Sequence, residues 1–140
     1  MVKRYVLDTS ALFTLTKGEN GSDTVEDILI SAKKGRCHIY LSFISFAELY
    51  YITWQEKGES AAKELIILVK SLPAQIVDSN ERITLSAGRI KANHRLSVSD
   101  AFIAATALDK GAVLVHKDPE LESVSGYIAT LQLPYKHGKD

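Results

Sequence analysis

The chain has 140 residues, with 17 Lys and Arg against 17 Asp and Glu, and a single cysteine, Cys37. That length suits one ordinary domain, 1–140, with a core of its own; one cysteine excludes an internal disulfide and a thiolate metal cage, so a reducing cytoplasm is the simplest compartment. The zero net charge gives no global pointer to nucleic acid, and the sequence has neither a signal-peptide core nor an apolar run long enough to cross a membrane.

Tyr5-Val6-Leu7 predicts a first strand, and Asp8-Thr9-Ser10 turns it into a short helix, Ala11 to Leu15. A carboxylate at the end of a buried strand must cap, pair or bind a metal; for Asp8 taken alone, a helix cap is as good a reading as a ligand. After a loop at Gly18 to Ser22, Asp23-Thr24-Val25-Glu26 has capping-box spacing before a helix with Val25, Ile28, Leu29 and Ala32 on one face. Lys33-Lys34-Gly35-Arg36 closes it, either as a solvated helix end or as a contact for a phosphate backbone.

Cys37 to Leu41 alternates as a second strand, with Cys37, Ile39 and Leu41 inward. Ser42 to Glu48 enters a long helix that runs to about Lys57, and Ser45 with Glu48 fits a capping box that by itself would account for Glu48. A further helix, about Ser60 to Leu72, stops at Pro73. Gln75-Ile76-Val77 is a third strand, and Asp78 is read as a cap of the next helix rather than a ligand; there Ile83, Ala87 and Ile90 recur at helical spacing. Arg82, Arg89, Lys91, His94 and Arg95 give that helix a basic side, ordinarily a solvated one.

The stretch from Ser97 to Asp118 organises the chain. Ser97-Val98-Ser99-Asp100 opens a helix of small and apolar residues that closes at Asp109-Lys110-Gly111. Ala112 to Val115 then reads as a buried parallel strand, followed by His116-Lys117-Asp118-Pro119. A last strand falls around Tyr127 to Leu131, and Leu133 to Asp140 reads as a frayed or partner-bound tail.

Strands alternating with helices imply a three-layer α/β/α sandwich around a mainly parallel sheet. Parallel strands share one carboxyl edge, which brings Asp8, Glu48 and Asp118 together. The helix that Asp100 begins leads into the fourth strand and so starts near the same edge. Carboxylates this close repel by roughly 4 kcal/mol per pair at an effective dielectric near 20, which protonation or a divalent cation relieves. No His or Cys cluster accompanies them, so the all-oxygen donor set suits Mg²⁺ or Mn²⁺ rather than Zn²⁺. Two such ions about 4 Å apart can activate water and stabilise the leaving oxygen of a phosphodiester. If cations offset these four acids, the remaining residues carry a surplus of positive charge, which permits a local nucleic-acid surface.

Four blocks in order, Val6-Leu7-Asp8-Thr9-Ser10-Ala11-Leu12, Ser45-Phe46-Ala47-Glu48-Leu49, Ser99 to Leu108 and Leu114 to Leu121, resemble the blocks of PIN-domain nucleases, and the length resembles the single-domain toxins of VapBC toxin–antitoxin systems. The resemblance implies a PIN-like fold and a metal-dependent endoribonuclease in which Asp8, Glu48, Asp100 and Asp118 are the catalytic, metal-binding carboxylates. It implies support from the Ser10 hydroxyl, with Thr9 a weaker candidate. The family often has Thr or Ser where His116 stands, which leaves His116 as either a phosphate contact or an ordinary loop residue. A cognate antitoxin that places an Arg in the acidic pocket, and a homodimer, are implied in the same way; Tyr50, Tyr51 and Trp54 suit either an interface or the core. Two rival readings stand beside this one. Asp8 as a phosphate-accepting nucleophile lacks the second acid of a D-x-D motif, because Ser10 occupies that position. A non-catalytic RNA-binding or interaction module would use the four acids only as caps and ion-pair partners.

Overall fold

The computed structural model describes residues 2–135. Five strands, β1 (Lys3–Leu7), β2 (Cys37–Ser42), β3 (Gln75–Val77), β4 (Val113–His116) and β5 (Thr130–Gln132), form one sheet in the order β3-β2-β1-β4-β5. Every pairing is parallel, for example Val6 opposite Tyr40 on one side and Leu114 on the other. The helices are α1 (Thr9–Thr16), α2 (Ser22–Lys33), α3 (Phe43–Lys57), α4 (Glu59–Lys70), α5 (Glu81–Asn93) and α6 (Val98–Lys110), with a 3-10 helix at Pro119–Val124 between β4 and β5.

The sheet separates two cores. Val6 and Leu114 point to the side covered by Ile83, Ala87 and Ile90 of α5 and by Ala101, Ile103, Ala104 and Ala107 of α6. Leu7 and Val115, one residue on, point to the opposite side with Leu12, Val25, Ile28, Leu49 and Val69. Central strands buried on both faces are why these runs are apolar without alternation. This is the expected α/β/α sandwich, with an all-parallel sheet.

Chain order runs outward from β1 to β2 and β3, then crosses back to β4 on the other flank of β1. The carboxyl ends of β1 and β4 therefore bound the switch point of the sheet, where open α/β folds carry ligands.

Several local expectations give way to the observed caps. α3 is capped by Ser42, whose Oγ accepts from the Ile44 N–H at 3.4 Å, so Ser45 is already inside the helix and Glu48 lies in its second turn; the Ser45/Glu48 capping box does not form. α2 starts at Ser22 after Gly21, which places Asp23 in its first turn rather than at its cap. Asn80, not Asp78, caps α5, accepting from the Ile83 N–H at 2.8 Å. In each case the strand or loop ahead delivers the chain to the helix axis at a residue other than the spacing alone suggested. β5 starts at Thr130, because Tyr127 is held in a turn by its N–H to Val124 O at 3.1 Å.

His116 is the last residue of β4 and is 1% exposed, not a loop residue. Leu133 is no frayed tail: it is 1% exposed, its N–H donates to His116 O at 2.7 Å, and it packs beside Gly21. Gly21 has φ of 102°, and a Cβ there would lie 3.0 Å from Pro134 Cδ. The rest of the expected tail, 136–140, lies outside the described residues. Among the described residues no helix is long and apolar enough to cross a membrane.

Candidate metal centre

Asp8 follows β1 directly. Its backbone N–H donates to Val115 O at 3.1 Å, continuing the β1–β4 ladder by one rung, and its carboxylate caps α1 by accepting the Ala11 N–H at 2.8 Å. The cap reading is thus correct as far as it goes, but one bond does not satisfy a carboxylate that is 1% exposed. Ser10 supplies the rest: its Oγ lies 2.7 and 2.9 Å from the two Asp8 oxygens and accepts the Lys117 N–H at 2.8 Å. One hydroxyl therefore ties the end of β1 to the exit of β4. Burial pushes the Asp8 carboxyl up to about 7, against the pull of Ser10 and Ala11, and the nearby charges of Asp118 and Glu48 add to the rise.

Glu48 reaches the same crevice from α3, where Thr9 Oγ1 donates to Glu48 Oε1 at 2.6 Å and lies 3.1 Å from Ser45 Oγ. Asp100 comes from α6, whose cap Ser97 accepts the Asp100 N–H at 3.1 Å. Its carboxyl is driven up to about 8, first by burial, then by a hydrogen bond with Asp118, then by the charges of Asp118, Asp8 and Glu48. Asp118 lies two residues beyond β4; its N–H donates to His116 Nδ1 at 3.2 Å, and its Oδ1 accepts the Glu120 N–H at 2.9 Å, capping the 3-10 helix.

Asp8, Glu48, Asp100 and Asp118 are near enough for their charges to act on one another, while the carboxylates within ligand distance of each other are those of Asp100, Asp118 and Glu120, without Asp8 or Glu48. Capping accounts for Asp8 and Asp118 one at a time; it does not account for the buried Asp100, whose carboxylate lies within 4.8 Å of that of Asp118, a closeness that a proton on the pair relieves. A divalent cation is the other way to hold such a pair. The donor chemistry fits: carboxylate oxygens of Asp100, Asp118 and Glu120 lie within 4.8 Å of one another.

Glu120 is a residue that sequence reasoning passed over. Its signal was Asp118-Pro119-Glu120, since a Pro at the first helical position turns the chain tightly enough to bring the next acid back toward the cap. Lys117 and Glu19 were also missed. Lys117 is 8% exposed, with Nζ 3.5 Å from Glu19 Oε1 of the loop between α1 and α2. A loop acid and a strand-end lysine far apart in sequence give no local pattern to find. The imidazole of His116 is turned into the protein toward the Asp118 backbone, and burial lowers its proton affinity.

A parallel α/β sheet with a carboxylate cluster beyond the end of a central strand, close to its switch point, defines the class of fold and site to which the chain belongs. Residues 5–127 match the PIN domain family model, and the chain belongs to that family. Its fold is shared with VapBC2 from Rickettsia felis, solved bound to a DNA fragment from its promoter (19% identity, 94% of this chain and 99% of that one, TM-score 0.74). It is shared also with DNA-bound VapBC from Salmonella typhimurium (20%, 94% and 98%, TM-score 0.73). A third similar structure is VapC20 from Mycobacterium tuberculosis, described as a sarcin-ricin loop cleaving toxin (16%, 91% and 98%, TM-score 0.70). No curated protein sequence matches.

Proposed function

We propose that this protein is a metal-dependent endoribonuclease and the VapC-type toxin of a toxin–antitoxin pair. The observation that carries the reading is the cluster of Asp100, Asp118 and Glu120, whose carboxylate oxygens lie within 4.8 Å of one another, with Asp8 and Glu48 near enough for their charges to act on Asp100. Such a site is poorly stable as four free anions and well suited to Mg²⁺ or Mn²⁺. When bound, the cation supplies an activated water and neutralises charge on the leaving oxygen of a phosphodiester. The chain's own part is positioning. Asp8, Glu48, Asp100 and Asp118 would hold the ion, with Glu120 at the rim. Ser10 and Thr9 orient two of those carboxylates, and the buried wall behind them limits water to the open side. Among the described residues no Ser or Cys is hydrogen-bonded to a His beside these acids, which favours direct attack by water with no covalent protein intermediate.

Membership of the PIN family and the likeness to solved VapBC complexes support an antitoxin partner. So does an open, mainly apolar cavity of about 650 Å³ lined by Phe43, Phe46, Tyr50, Ile66 and Ile76. Tyr51 and Trp54 are 51% and 44% exposed on α3, which suits an interface, with a second copy or with the antitoxin, better than a core.

The test is cleavage of RNA by purified protein with Mg²⁺ or Mn²⁺, followed by mapping of the new ends. Asp8→Asn and Asp100→Asn should lower the rate by at least a hundredfold while the protein stays folded. Full activity of either variant, or of the wild type in chelator, rejects the reading.

A further inference from the structure

The segment from Arg82 to Ser99 holds four cations and no acid, in a chain whose charges balance overall. Arg82 is engaged, its Nε donating to Asp109 Oδ1 at 2.6 Å. Arg89, Lys91 and Arg95 are exposed and make no ion pair among the described residues. A cation in the last turn of α5 suits the helix dipole, which explains Lys91. It does not explain Arg95, beyond the helix end.

At the same corner His94, the residue after α5, brings its ring to 5.6 Å from the ring of Tyr127, which is 47% exposed. Buried Ile90, Leu96 and Ile128, all in one core cluster, anchor the two segments from beneath. These are the segments that carry the carboxylates. His94 precedes Asp100 by six residues, with Ser97 between them, and Tyr127 follows the 3-10 helix that Asp118 caps. Half of that six-residue span is helical, so it reaches at most about 15 Å, a few nucleotides of extended strand.

Apart from any cation they hold, the clustered acids offer a polyanion no attraction, so the rest of a nucleic-acid strand needs positive charge outside them. We propose that this corner is a docking track for single-stranded RNA. A base stacks on Tyr127, backed by His94, and phosphates lie along Lys91 and Arg95 as the strand leads to the carboxylates; Arg89, two positions before Lys91, lies on the opposite flank of α5 and outside the track. Every base offers a π-face to an exposed aromatic ring, and unpaired strands are the form of RNA that can use it. The proposal rests on the reading that the chain acts on RNA.

The experiment measures binding of a labelled, mixed-sequence single-stranded RNA by fluorescence anisotropy in chelator, with a parallel cleavage assay in Mn²⁺. The double variant Lys91→Glu, Arg95→Glu should bind at least tenfold more weakly. The slope of log affinity against log salt should become shallower by roughly 1.4, about 0.7 for each lost phosphate contact. Tyr127→Ala should cost about tenfold and Tyr127→Phe should bind like the wild type. Lys33→Glu with Lys34→Glu, at the end of α2, controls for charge alone and should lose much less. Thermal melts check that each variant folds. The track is overturned if the wild type does not bind RNA, if the double variant or Tyr127→Ala binds as the wild type does, if Tyr127→Phe is as weak as Tyr127→Ala, or if the Lys33/Lys34 control loses as much. It is overturned equally if the double variant keeps its RNA affinity but loses a co-purifying protein, which would make the corner a protein interface. Binding through these residues without cleavage by the wild type would leave the track standing and reject the nuclease reading. Equal cleavage by wild type and double variant would do the reverse.

Discussion

Ser10 shows how much one side chain does here. Its hydroxyl donates to Asp8 and accepts from the Lys117 backbone, so it fixes the carboxylate and at the same time the distance between two strand ends. Ser10→Ala removes both bonds and leaves the Lys117 N–H and one side of Asp8 without a partner. Chemical denaturation should show a loss of about 1–3 kcal/mol, and cleavage should fall well beyond what that lost stability explains. Ser10→Thr, which keeps the hydroxyl, should recover most of both. The Lys117–Glu19 pair lies behind the same segment and holds it from the α1–α2 loop.

At the scale of the element, the helices start where backbone geometry delivers them rather than at the first plausible cap. Asn80 and Asp78 make a clean contrast, because both are exposed cap-type residues two positions apart and only Asn80 accepts an amide proton of α5. Asn80→Ala should destabilise the protein by about 1 kcal/mol. Asp78→Ala should change the melting temperature hardly at all. Equal effects would mean that α5 begins earlier in solution. The same logic explains Glu48. With Ser42 as the cap, Glu48 is one turn further along α3, free of capping duty, and its side chain is available to the crevice and to Thr9.

For the whole molecule, the gathered acids make stability depend on pH and on metal. Burial and the neighbouring acids push the carboxyls of Asp8 and Asp100 up to about 7 and about 8 in the folded chain, well above the usual carboxylate range. A raised carboxyl pKa means that the folded state holds the proton longer than the unfolded one. The folded state is therefore favoured at low pH, and stability falls as pH rises from about 4 to about 8. Metal-free protein should accordingly melt at a lower temperature at pH 8 than at pH 5.5, and Mn²⁺ should restore it at pH 8 by binding the folded state alone. Asp100→Asn should weaken both the pH dependence and the Mn²⁺ shift. A wild-type melting temperature that is flat with pH and unmoved by Mn²⁺ would contradict the site.

The apolar runs at Tyr5 to Leu7 and Ala112 to Val115, separated by helices with a single apolar face, determined a parallel sheet covered on both sides, because only that packing buries strands lacking polar positions. Parallel strands share an edge, so chain order alone raised the expectation that Asp8, Glu48, Asp100 and Asp118 converge, and their charges do act on one another. What only the tertiary structure decided depends on distance between segments remote in sequence: Ser10 bridging to Lys117, Glu120 swinging back to Asp100 and Asp118, Leu133 burying itself beside Gly21, and His94 meeting Tyr127. A sequence carries periodicity and local capping chemistry because those act over a few residues. It does not carry the direction in which a side chain leaves a turn, which is set by the packing of everything around it.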